Sequence, residues 1–207
     1  MPSLESPVLE RMRKRVEKAR TFTTGFNVEG LRQRYEMQLA AIQKMMSPRP
    51  RGQYVIWSYN AGLGPILDAF ENVTCLGLTA YAYPAGVWGL AHRYIDIADG
   101  HGLSRDVCSS VKTQLGVALS GELAPPDALL TSSMWCEGFR AWRYVAEYYD
   151  VPMFHLDTPQ SYYDQEAAVR CYVRDYEELI AWLEELAQQK CNWAALTRAV
   201  QLDLELA

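Results

Sequence analysis

Four short apolar runs constrain this chain most: Gln53–Ser58 (QYVIWS), Val73–Leu78 (VTCLGL), Asp127–Thr131 (DALLT) and Val151–Leu156 (VPMFHL). Each has the length of a strand, and turn signals or helical periodicity separate one from the next. A strand covered on both faces reads as an unbroken apolar run, whereas a half-solvated one alternates. Buried strands alternating with helices predict an α/β fold with a mostly parallel, Rossmann- or flavodoxin-like sheet flanked by helices. In such sheets the functional crevice lies outside the carboxyl ends of the strands. The residues that follow each run are therefore the first candidates for chemistry.

Around these runs the pattern is helical. Residues 1–50 read as an N-terminal helical arm and residues 51–207 as the α/β lobe. The arm has a first helix ending near Thr23-Thr24-Gly25. Asn27 is positioned to cap a second helix, in which Leu31, Tyr35, Leu39, Ile42 and Met46 recur at three- and four-residue steps. Gly62–Phe70 suggests a short helix. Pro84 and Gly86 are expected to break the chain before a helix from Val87 to Ile97, with a polar turn at Asp99–Gly102. Further helices are expected from Cys108 through Leu119 and over Glu137–Tyr149. Long C-terminal helices follow, from Gln160 to Gln189 and from Asn192 onward.

Composition narrows the function classes. Apolar residues make up 49% of the 207, enough for a real core, and the net charge is −5. That balance argues against general binding to a phosphate backbone, which needs clustered Lys and Arg. The basic stretch Arg11–Arg20 is interleaved with Glu and reads as a solvated helix face. Val73–Ala91 carries no charge, but its proline and three glycines suit strand, loop and helix start better than a membrane span. No apolar leader segment is visible, so a soluble, cytoplasmic protein is expected. Five cysteines, at 75, 108, 136, 171 and 191, are an odd and widely spaced set, which argues against a disulfide framework.

Cys108 and Cys136 are the candidates for chemistry. Cys108 opens a helical pattern (CSSVKTQLG), and Cys136 ends the polar turn that follows the third apolar run. A thiol at a helix N-terminus meets the positive end of the dipole and unpaired N–H groups, which favour thiolate, the metal-binding form. Their spacing fits neither a zinc knuckle nor a CxxC site, so residue chemistry alone leaves ligand, nucleophile and buried core cysteine all open. Cys75 lies inside a strand and is read as core, while Cys171 and Cys191 lie on the C-terminal helices, remote from the strand edge. Ser132, Ser133 and Trp135 either line a site or form an ordinary strand-to-helix turn. Ser133, Glu137 and Asp157 are weak catalytic candidates: Glu137 also suits a helix first turn, and Asp157 a turn before Pro159. His155 reads as a hydrogen-bonded core histidine. The loop Asn60–Gly64 precedes a helix and is a weak candidate to cradle phosphate, since it lacks the third glycine and the lysine of a phosphate-binding loop. Tyr81–Trp88 suits an acyl pocket or a packed core equally.

Taken in order, Cys108-Ser-Ser-Val-Lys112 with Gly116, Gly121-Glu-Leu-x-Pro-Pro-Asp127, Thr131 with Cys136, Tyr148-x-x-Val-Pro152 and Leu156-Asp-Thr-Pro159 resemble subunits of the 2-hydroxyacyl-CoA dehydratase and benzoyl-CoA reductase family. The likeness runs from about Val107 onward and is weaker upstream of residue 100. It implies a 4Fe-4S cluster held by three thiolates, two of them Cys108 and Cys136. It also implies a homologous second subunit, an ATP-dependent iron–sulfur activator that delivers single electrons, and an acyl-CoA substrate. In the dehydratases the thioester is reduced to a ketyl radical anion that eliminates water; in the reductases the electrons go to an aromatic ring. Family subunits are about twice as long, with the third cysteine in a second lobe that this sequence does not contain. The alternative is a non-catalytic α/β binding or assembly subunit that keeps the lobe without its cluster.

Overall fold

The computed structural model describes residues 6–21, 28–49, 51–58, 64–133, 138–157 and 164–206. The chain separates into two compact units. One comprises Met1–Pro48 and Leu78–Ala124, the other Arg49–Gly77 and Pro125–Ala207.

The second unit holds the sheet. Its strands are β1 (Tyr54–Ser58), β2 (Val73–Gly77), β3 (Ala128–Ser132) and β4 (Met153–Leu156). All pair in parallel in the order β2-β1-β3-β4. The expected α/β fold with a parallel sheet flanked by helices is what the chain forms. Side chains alternate across the pleat, so Ile56, Ala128, Leu130 and Leu156 share one apolar cluster with Phe70, Leu179 and Leu183. The intervening Val55, Trp57 and Leu129 are also buried, and Trp57 meets Tyr149 edge-on with centroids 5.3 Å apart. Burial on both sides is why these strands read as continuous apolar runs.

The sheet's register is reinforced by side chains. The Val55 N–H donates to Asp127 Oδ2 at 2.7 Å and the Val55 carbonyl accepts from the Asp127 N–H at 2.7 Å, while Arg49 pairs with the same carboxylate. Helices α3 (Gly64–Leu67), α7 (Gly138–Tyr149), α8 (Gln165–Ala187) and α9 (Trp193–Leu206) complete this unit. Asp164 caps α8 by accepting from the Ala167 N–H at 2.8 Å.

The first unit is helical: α1 (Pro7–Arg20), α2 (Val28–Met46), α4 (Thr79–Val87), α5 (Ala91–Gly100) and α6 (Ser109–Leu119). Here the structure corrects the sequence reading. Pro84 does not end a loop; it lies inside α4, buried among apolar neighbours, and the expected Val87–Ile97 helix is divided between α4 and α5. Proline deletes one donor from a nine-residue helix, a loss that burial of its ring offsets. The true break is Gly89, at φ +69°, where the Leu90 N–H donates to the Ala85 carbonyl and the Gly89 N–H to Gly86, a Schellman ending. Gly102, at φ +84°, ends α5 in the same way, one helical turn later than expected.

Helix α6 is buried from Val111 to Leu119, which brings Gly116 against α5. Lys112, 5% exposed, is neutralised there by Asp99, with Nζ 2.7 Å from Oδ1. A second polar knot surrounds Glu122, whose side chain is 1% exposed. Its carboxylate accepts from the Tyr81 hydroxyl, from the Tyr94 hydroxyl at 3.0 Å and from Arg93 at 2.9 Å. Burial and the adjacent carboxylate hold both tyrosine hydroxyls above their ordinary pKa. Ser6, the α1 cap, shares a hydrogen bond with Tyr81 and so ties α1 to the knot.

Candidate functional site

A parallel sheet of this order has its switch point between β1 and β3, because the chain departs to opposite sides of β1. The carboxyl ends there are Ser58 and Ser132, both buried. The segments that follow β1, β3 and β4 fall on residues 59–63, 134–137 and 158–163, outside the described residues. Trp135, Cys136, Glu137 and most of the Asn60–Gly64 loop therefore lie outside them too.

What the structure does bring together at this edge is Ser133 and Asp157. Ser133 stands one residue past β3 and Asp157 one residue past β4, strands paired through Ser132 and Leu156. The Ser133 N–H donates to the Leu156 carbonyl at 3.1 Å, extending the ladder. Its hydroxyl then donates to Asp157 Oδ1 at 2.6 Å, a charge-assisted contact that orients both groups. Nothing in the sequence announced this pair beyond the position of each at a strand end.

His155 differs from expectation. Its Nδ1 is buried without a hydrogen-bond partner among the described residues, and its ring lies against Phe139 at 4.5 Å. Burial pushes its pKa below the ordinary histidine value, with Asp157 acting weakly in the other direction. It is a half-buried packing histidine.

In the helical unit, Cys108 is the N-cap residue of α6, in extended conformation at φ −49° and ψ 134°, with no side-chain cap bond. Its carbonyl accepts from the Lys112 N–H at 3.0 Å, which begins the helix. The thiol is exposed, and so are Ser109 and Ser110. The thiol is therefore not a core cysteine. A groove of about 320 Å³ runs beside this first turn, between Ala82 and Gly86 of α4 and Ser109, Thr113 and Gln114 of α6. Gln114 is buried and accepts from the Thr79 hydroxyl at 3.3 Å. These two polar residues were not singled out by the sequence, because both sit in stretches that read as packing.

The remaining cysteines behave as packing residues. Cys75 lies in β2 against the core cluster. Cys171 is half-buried on α8, and Cys191 is buried in the turn before α9, where burial and then Glu184 raise its pKa. Among the described residues no three His, Cys, Asp or Glu side chains gather as a metal site. No helix among them is long and apolar enough to cross a membrane.

The fold and these positions define an α/β protein with a parallel, switch-point sheet and an exposed thiol at the head of a buried helix. The chain belongs to the family of the 2-hydroxyglutaryl-CoA dehydratase D-component, whose family model matches residues 66–205. The match covers both Cys108 and Cys136 and begins well upstream of Val107, where the sequence resemblance was strongest. It makes the chain a component of dehydratase type, in a family linked in general terms to iron–sulfur cofactors. No individual curated protein matches the chain.

Proposed function

We propose that this chain is the iron–sulfur subunit, or half of one, of a 2-hydroxyacyl-CoA dehydratase or benzoyl-CoA reductase-like enzyme. Cys108 and Cys136 would supply two of the three thiolates of a 4Fe-4S cluster. The observation that carries this reading is the family match over residues 66–205, which takes in both cysteines. Cys108 supports it from the residue side. Its thiol is exposed, makes no cap bond and stands at the head of α6, where the first-turn N–H groups have no intrahelical partner. The exposed hydroxyls of Ser109 and Ser110 follow directly in the chain and would be available as hydrogen-bond donors, the kind of contact that tunes a cluster's potential.

When bound, such a cluster supplies single electrons at low potential to an acyl-CoA thioester. This chain's own part is to hold sulfur, to exclude water and to place polar groups. The Ser133 hydroxyl, fixed by Asp157, is the candidate for hydrogen bonding at the strand edge. Glu137 is the weaker candidate for moving a proton. The third thiolate would come from outside this sequence, from a second lobe or from a homologous partner subunit, and an ATP-dependent activator is the proposed electron donor. The proposed compartment is the cytoplasm.

The test is anaerobic reconstitution of the chain with iron and sulfide, alone and together with a homologous partner subunit. Iron and acid-labile sulfide are then quantified and the visible charge-transfer absorption recorded. Cluster loading that is lost in the Cys108→Ser/Cys136→Ser double variant, with far-UV circular dichroism unchanged, is the expected result. Loading that is indifferent to both substitutions would overturn the ligand assignment. Failure to load under any condition would favour the non-catalytic assembly subunit.

A further inference from the structure

The basic stretch of α1 is solvent-exposed, as expected, and four of its side chains also line a hollow. Residues 7–20 carry six Lys or Arg against two Glu, in a chain whose net charge is −5. Both α1 and α2 lie outside the residues matched by the family model. Within the helical unit, Arg15 of α1 and Arg34 of α2 flank a cavity of about 260 Å³. Its remaining lining is largely aromatic and apolar, with Tyr35, Tyr83 and Trp88 around Pro84 and Val87. A second hollow of about 310 Å³, bounded by Arg11, Lys14 and Lys18, shares Arg15 and Trp88 with the first.

Three features separate this place from an ordinary charged surface. Arg15, Lys18 and Arg34 form no ion pair among the described residues, although acceptors occur nearby on α1 and α2: Lys14 pairs with Glu10, and Arg20 with Glu36. Arg15 lines both hollows, and each hollow includes Trp88, a half-buried indole. Arg11 donates to the Trp88 carbonyl, which ties the end of α4 to α1 beside the hollow. Unpaired guanidinium groups are matched to phosphate, which they grip through two parallel N–H donors. Tyr and Trp faces beside them suit a planar ring. The two hollows together fall within the roughly 300–1,000 Å³ of small-molecule sites.

We propose that this groove binds a nucleoside diphosphate. Its phosphates would lie between Arg15, Arg34 and Lys18, and its base against Trp88 and Tyr35. The site uses neither Cys108 nor Cys136, so it stands or falls independently of iron.

The test is calorimetric titration of the full chain with ADP and with inorganic pyrophosphate, in low and moderate salt. Saturable one-to-one ADP binding, weakened by salt and tighter than pyrophosphate binding, is the expected result. Arg15→Ala with Arg34→Ala should weaken it by about tenfold or more, from the loss of charge-assisted hydrogen bonds. Both arginines are exposed, so the double variant should melt like the parent chain. Trp88→Leu should remove the preference for ADP over pyrophosphate and leave pyrophosphate affinity in place. The proposal is overturned by absence of saturable ADP binding at millimolar concentration, by unchanged affinity in the double arginine variant, or by equal affinity for the two ligands. Affinity for oligonucleotides that rises steadily with their length would overturn it as well, since that marks an electrostatic surface and not a discrete site.

Discussion

Replacing Gly116 with alanine sets two tendencies of opposite sign against each other. In an exposed helix interior the change should stabilise, because alanine is favoured over glycine by about 1 kcal/mol. At position 116 a Cβ would stand 1.8 Å from the Tyr94 carbonyl oxygen and 2.4 Å from its carbon. Both are backbone atoms of α5 and no rotamer change can relieve the collision. Ordinary contact begins near 3.4 Å, so the two helices would have to part by about 1.6 Å. That movement would strain the part-buried Lys112–Asp99 pair and the hydrogen bond from Tyr94 to Glu122, which tie the same segments together. Overpacking of this kind costs about 1–3 kcal/mol, and a backbone collision belongs at the upper end. The net expectation is a loss of about 2 kcal/mol, or a midpoint lower by roughly 4–8 °C in a chain of this size. Urea and thermal denaturation followed by circular dichroism measure it directly. Gly86→Ala in α4, where nothing lies within 4 Å of the added carbon, is the control and should be neutral or slightly stabilising. Should Gly116→Ala prove as stable as the parent or more so, helix propensity has won and the close approach of α5 and α6 is wrong.

Truncating Glu122 to alanine should destabilise by about 2–4 kcal/mol, because it leaves the buried hydroxyls of Tyr81 and Tyr94 without their acceptor; a thermal shift near zero would contradict the knot. For His155 the sign follows from its lowered pKa. The unfolded chain takes up a proton below about pH 6.5 while the folded chain resists it, so stability falls as pH drops through that value. Denaturation from pH 7.5 to 5 should therefore show a steeper loss in the parent than in His155→Leu, and parallel slopes would refute the assignment. Asp164→Ala removes the cap of α8 and should cost about 1 kcal/mol, read as a lower urea midpoint with unchanged helix content.

The likeness between the sequence reading and the structure is closest where the signal is local. All four strands occur within a residue or two of the apolar runs, and Cys108 heads a helix as its flanking Ser-Ser suggests. Parallel pairing also followed, since helix-length connections separate the strands. At the candidate site, the positions of Ser133 and Asp157 past their strands were readable, but their hydrogen bond was not. Cys136 and Glu137 lie outside the described residues, so their part in the site rests on the family match and remains the proposal stated above.

Periodicity, caps and turn residues act over a few neighbours, so the sequence by itself determined the fold class, the strands and the helix that presents Cys108. The strand order β2-β1-β3-β4, the buried proline of α4 and the near-contact at Gly116 came only with the tertiary structure. The same holds for the Ser133–Asp157 contact, across 24 residues, and for Arg11 on Trp88, across 77. The physical reason is range. A side chain's distant partner depends on how whole faces pack and on which polar groups burial leaves unpaired, and neither quantity is carried by any short stretch of chain.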